Sequence, residues 1–88
     1  DWTPTLKEVE EKIIGRYQDV SRRKIEAIMQ SQANNTKPDL AEYKREMKLM
    51  LMFMRWILAT CDTLEPAARA RLEEFVSGKL NIMNGENT

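Results

Sequence analysis

The chain has 88 residues, 14 basic and 14 acidic side chains that cancel, and no histidine. This length allows one domain, spanning 1–88, whose core hides roughly 60–65% of the unfolded surface, so a partner has room to complete it. Neutrality removes any long-range pull on nucleic acid or an acidic membrane, and the missing histidine removes the commonest general base and metal ligand.

Cys61 stands alone, so no intrachain disulfide forms. With no secretory leader or membrane span in view, this points to a reducing, intracellular location, cytoplasmic or nuclear. Asp1 stands where an initiating methionine is expected, which reads as a processed product or a piece of a longer chain.

The first helix is expected over about 4–32. Two starts compete: Thr3 before Pro4, a cap followed by proline at the first helical position, and Thr5 with Glu8, a capping box. Leu6, Val9, Ile13, Tyr17, Val20, Ala27 and Ile28 repeat at about 100° per residue and define one buried face. Ile14, Ile25 and Met29 form a flanking stripe. At 1.5 Å per residue this helix is about 40 Å long, the longest of the chain, and it can project past the others. Gly15 inside it costs up to about 1 kcal/mol against alanine and reads as a weak point, a slight bend or a close backbone approach.

Ala33 to Pro38 is loop-like, and Asp39 with Glu42 makes another capping box. The second helix is expected over about 40–61. It contains Leu49-Met50-Leu51-Met52-Phe53-Met54-Arg55-Trp56-Ile57-Leu58-Ala59, a run with a single charge in a chain that is 32% charged. The run is too short to cross a bilayer, which takes about 20 apolar residues. On a helical wheel Lys44, Lys48 and Arg55 form a basic stripe, with Leu51 among them and expected to be partly exposed. Opposite lie Tyr43, Met47, Met50, Phe53, Met54, Ile57, Leu58 and Cys61. Leu49 and Trp56 widen the apolar arc to about 200° (at 100° per residue), the breadth of a central helix wedged between two others.

Asp62 to Pro66 is a tight stop and restart, with Asp62 or Thr63 as cap, and it forces the flanking helices to run antiparallel. The third helix is expected over about 64–82, with Leu64, Ala68, Leu72, Phe75, Val76, Ile82 and Met83 on one face. Gly85 or Gly78 ends it, and Asn84 to Thr88 fray. The fold class is therefore all-α, an antiparallel three-helix bundle with a long first helix and a central apolar second helix.

Chemistry has few places to sit. Cys61 is the single candidate nucleophile, yet it stands at a helix C-terminus beside Asp62, whereas a reactive thiolate wants a helix N-terminus or a cation. It reads as core filler. Glu10-Glu11 and Glu73-Glu74 are adjacent pairs that point about 100° apart and cannot form an acid/base site by themselves. These observations argue against an enzyme and against a cofactor or metal site.

Two basic clusters, Arg22-Arg23-Lys24 and Lys44, Arg45, Lys48 and Arg55, allow a nucleic-acid reading, with Arg22, Arg23, Lys24, Lys44, Lys48 and Arg55 as its contacts. They equally read as a solvated face compensated by the i,i+4 pairs Glu8–Lys12, Asp19–Arg23 and Glu65–Arg69. Trp2 fits the plug of a bundle end or an interface. Four of the six methionines fall between Met47 and Met54, and methionine suits surfaces that adapt to apolar partners. The leading expectation is a protein–protein interaction module, a subunit or adaptor that docks another protein or a second copy. Its docking residues are Leu49, Leu51, Met52, Phe53 and Trp56, with Lys48 and Arg55 as a polar rim.

Ser21-Arg22-Arg23-Lys24-Ile25-Glu26 and Ile57-Leu58-Ala59-Thr60-Cys61-Asp62-Thr63-Leu64-Glu65 resemble stretches of BAG domains. That resemblance implies a three-helix module acting as a chaperone cofactor on the Hsp70 ATPase domain. Here a whole helix follows the second stretch, where that family's domain ends, and no site residue is carried over.

Overall fold

The computed structural model describes residues 3–86, with side chains described as far as Ile82. The readings of Trp2, the Met83 side chain, Asn87 and Thr88 lie outside the described residues. Among the described residues there are three helices and no strand. The first is continuous through Leu6–Glu8, Val9–Ile14 and Gly15–Ala33; the second is Ala41–Thr60 and the third Pro66–Glu86.

Thr5 starts the first helix: its hydroxyl accepts from Glu8 N at 3.2 Å. Pro4 is buried beneath this turn. Val9–Ile14 forms a π segment with i→i+5 bonds, in which Gly15 N donates to Glu10 O. The wider turn rotates the residues before it against those after it. Both Ile13 and Ile14 therefore reach the core, whereas simple periodicity places Ile14 on the flank with Ile25 and Met29. Gly15 has a specific reason to be glycine. A Cβ there would stand 3.0 Å from the Glu10 carbonyl oxygen, so the backbone that approaches belongs to its own helix. The helix ends in a Schellman motif: Asn35 takes φ 58°, Asn35 N donates to Gln32 O at 3.2 Å and Thr36 N to Ser31 O at 2.8 Å.

The second helix starts differently from its sequence reading. Leu40 is the cap residue and no side chain caps it. Asp39 Oδ1 instead accepts from Ala41 N at 3.2 Å, so no Asp39–Glu42 capping box forms. The third helix begins at Pro66, later than expected, with Glu65 O accepting from Arg69 N, rather than at an Asp62 or Thr63 cap. It continues through Gly78 and Gly85 to Glu86.

Three contacts in series give the topology. Glu65 Oε2 accepts from Leu6 N at 3.2 Å, Arg71 pairs with Glu10, and the Phe75 ring meets Tyr17 edge-on with centroids 5.2 Å apart. The first and third helices thus run parallel, and the second runs against both. The core joins Val9, Ile13, Ile14 and Tyr17 to Leu51, Met54 and Ile57 and to Leu64, Ala68, Leu72, Phe75 and Val76; Val20 is buried outside this cluster. Leu6 and Ile82, placed on core faces by periodicity, are exposed, and Ala27 and Ile28 are half-buried. Arg69 does not pair with Glu65. Its guanidinium donates to Leu58 O at 2.9 Å and Cys61 O at 2.8 Å, closing the C-terminus of the second helix. No described helix is long and apolar enough to cross a membrane.

Candidate functional site

The second helix packs against both of its neighbours, but through a narrower arc than its apolar residues span. Leu51, Met54 and Ile57 are buried, and Met47, Met50, Leu58 and Cys61 are partly covered. The opposite side is left open. Leu49 is 57% exposed, Met52 54%, Phe53 45% and Trp56 59%. These four stand at i, i+3, i+4 and i+7 and share one face. The Phe53 and Trp56 rings lie nearly parallel, 18° apart with centroids at 6.2 Å, so the face carries a continuous aromatic surface. Fully burying such side chains contributes about 1.5–3 kcal/mol each, and about half of that is still unspent in four residues here, roughly 3–6 kcal/mol in all.

Both long edges of the face are basic. Lys48 and Arg55 border it on one side, both exposed and without an ion pair to any described carboxylate. On the other side a cleft of about 200 Å³ separates the first and second helices. Lys12 and Arg16 line it with Leu49, Met50 and Phe53. The sequence reading places Lys12 only in an i,i+4 pair with Glu8 and gives Arg16 no role. Their i,i+4 spacing was visible, but not that they face the Leu49–Phe53 edge.

Leu51 is a correction. It is 3% exposed and belongs to the core, so it drops out of the docking set. It borders the basic stripe on the wheel, where lysine stems can run past a neighbouring helix into water. A leucine at that boundary cannot, and it packs into the core shared by the three helices.

The Arg22-Arg23-Lys24 cluster is largely neutralised. Arg22 pairs with Asp19 and with Glu26, the latter at 3.0 Å, and Arg23 lies 3.9 Å from Asp19. Hydrogen bonding to Asp19 first, and to Glu26 next, raises the Arg22 pKa above its ordinary value. Lys24 is not part of this network. With Lys44, Lys48 and Lys79 it lines a groove of about 380 Å³ into which all three helices contribute. Lys79, a member unseen in the sequence clusters, comes from the third helix. No ion pair joins Glu8 to Lys12 among the described residues.

Cys61 is half-buried against the core, with Sγ 3.8 Å from Thr63 Oγ1. Among the described residues no three of Asp, Glu and Cys gather where they could share a metal ion. No family model, no curated protein and no solved structure matches this chain.

Proposed function

We propose that this chain is a protein–protein interaction module that docks an amphipathic helix of another protein against the exposed face of its second helix. One observation carries the reading: Leu49, Met52, Phe53 and Trp56 stand about half exposed in a single helical register, while the same helix has filled its core side with other residues. A run of large apolar groups left in water costs solubility, and its common use is an interface. Trp56 and Phe53 are the anchors, since aromatic residues dominate interface energetics. Lys48 and Arg55 on one edge, and Lys12 and Arg16 on the other, favour a partner helix with acidic flanks. The same cations disfavour an isologous dimer, because two copies would bring like charges together. The reading includes no catalytic step and no cofactor.

The nucleic-acid alternative draws less support. Arg22 and Arg23 are engaged with carboxylates, and Arg55 is not among the residues of the lysine-lined groove.

Affinity capture with the wild-type chain and with Trp56→Ala and Leu49→Ala tests the proposal. Protein retained by the wild type and lost by both variants, with its contact segment mapped to an acidic amphipathic helix, supports it. Retention unchanged by both variants overturns it. Salt separates the alternative: phosphate contacts weaken steeply as salt rises, and apolar docking survives.

A further inference from the structure

We propose that the groove ringed by Lys24, Lys44, Lys48 and Lys79 binds a compact phosphate ester, two or more phosphate charges carried on an apolar or aromatic body. This site shares Lys48 with the rim of the docking face but does not depend on docking there.

The first argument is charge. The chain is neutral overall, yet no aspartate or glutamate lines this groove. The ion pairs that do form lie outside it: Arg22 and Arg23 with Asp19, Arg45 with Glu42, and Arg71 with Glu10. The four lysines have no such match among the described residues. Like charges gathered around one concavity repel, and a multivalent anion converts that repulsion into attraction. Lysine ammonium groups are compact point charges on rotatable stems, a type of group that phosphate oxygens accept from.

The second argument is the floor. Tyr17 and Leu51 are buried beneath the groove, Met47 is half-buried, and Ile82 stands exposed at its side. A simple anion gains nothing from the apolar surface that Met47 and Ile82 leave open here, whereas a ligand with an apolar or aromatic portion covers it. Lys79 is held in place by its rings: Nζ lies 5.7 Å from the Tyr17 centroid and 5.3 Å from that of Phe75. Ser21 adds a hydroxyl to the wall. A groove of about 380 Å³ suits a small molecule or a single headgroup, not an extended strand.

Titration calorimetry of the whole chain tests this with three probes at constant ionic strength: metal-free adenosine triphosphate, a water-soluble short-chain phosphatidylinositol bisphosphate, and inorganic tripolyphosphate. At least one organic probe is expected to bind saturably and tighter than tripolyphosphate, and the tighter of the two names the source of the ligand. Lys44→Gln and Lys79→Gln should each weaken it roughly tenfold. Lys37→Gln removes the same charge outside the groove and should change nothing. Circular dichroism checks that each variant stays folded. Tripolyphosphate binding as tightly as both organic probes, or Lys37→Gln weakening binding as much as Lys44→Gln, overturns the proposal. So does an oligonucleotide whose affinity keeps rising with length beyond the groove, which would make the lysines part of a nucleic-acid track.

Discussion

The Glu65 carboxylate accepts from Leu6 N at 3.2 Å across 59 residues of sequence. One residue thereby caps the first helix through its side chain and opens the third through its backbone. Thr5 satisfies the neighbouring Glu8 N–H of the same helix end. Glu65→Ala should therefore cost about 0.5–1 kcal/mol, the low half of cap energies because the site is exposed. Thr5→Ala should cost about 1 kcal/mol. The two act on one turn, so a double-mutant cycle in urea should show coupling. Additive losses would mean that Glu65 contributes nothing specific to the first helix.

Arg69 plays the corresponding part at the C-terminal end of the second helix, with one nitrogen on Leu58 O and another on Cys61 O. Removing it takes the guanidinium from the Leu58 carbonyl and leaves Cys61 O with only the long bond from Leu64 N at 3.4 Å. Arg69→Ala should lose about 1–2 kcal/mol in thermal or urea melts. Arg69→Lys should recover less than half of that, since an ammonium cannot reproduce the fork. Full recovery by lysine would reduce the role to charge.

Gly15 and Gly78 make a matched pair. A Cβ at Gly78 would meet nothing within 4 Å, and one at Gly15 would stand 3.0 Å from a backbone oxygen. Gly78→Ala should stabilise by about 0.5–1 kcal/mol, the propensity difference in a helix interior. Gly15→Ala should fail to gain this and instead destabilise, because the π turn must shift to admit the methyl group. Equal stabilisation by both substitutions would show that the π segment relaxes at no cost.

The second helix separates core from interface within one turn. Met54 and Ile57 are fully buried, and either changed to alanine should lose about 2–4 kcal/mol of fold stability. Trp56→Ala should cost about 1 kcal/mol or less, since 59% of the residue is already in water. The same change should weaken partner binding by about 2 kcal/mol or more. Urea melts beside a binding assay read the two effects apart. If Trp56→Ala unfolds the domain as badly as Ile57→Ala and leaves binding intact, the docking face is wrongly placed.

Three amphipathic segments, their breaks and the antiparallel sense of neighbours could be read from the residues alone. Helical periodicity and short connections are local properties, and they were enough for the fold class. The exposure of Leu49, Met52 and Trp56 was also legible, because the second helix carries more apolar arc than two neighbours can cover. Local reading failed at the helix ends, mostly where partners are distant. Asp39, Glu65 and Arg69 all carried plausible cap or i,i+4 assignments, yet Glu65 and Arg69 found backbone groups on other helices, and Asp39 reached one residue short of its box. Ile14 failed for a different reason: the wheel assumes a constant turn, and the π segment breaks that assumption.

The sequence by itself therefore determined that this chain is helical, where its helices lie, and which of them carries surplus apolar surface, since each follows from neighbours within about one turn. The tertiary structure alone decided which edge of that surface closes and which charges surround it. Leu51 went inside because it joins one core cluster drawn from all three helices. Lys12 and Arg16 reached the Leu49–Phe53 cleft, and Lys24, Lys44, Lys48 and Lys79 reached one groove, because three helices bring together side chains far apart along the chain. The physical reason is that spacing sets the direction of a side chain about its own axis, while its neighbours depend on how those axes pack.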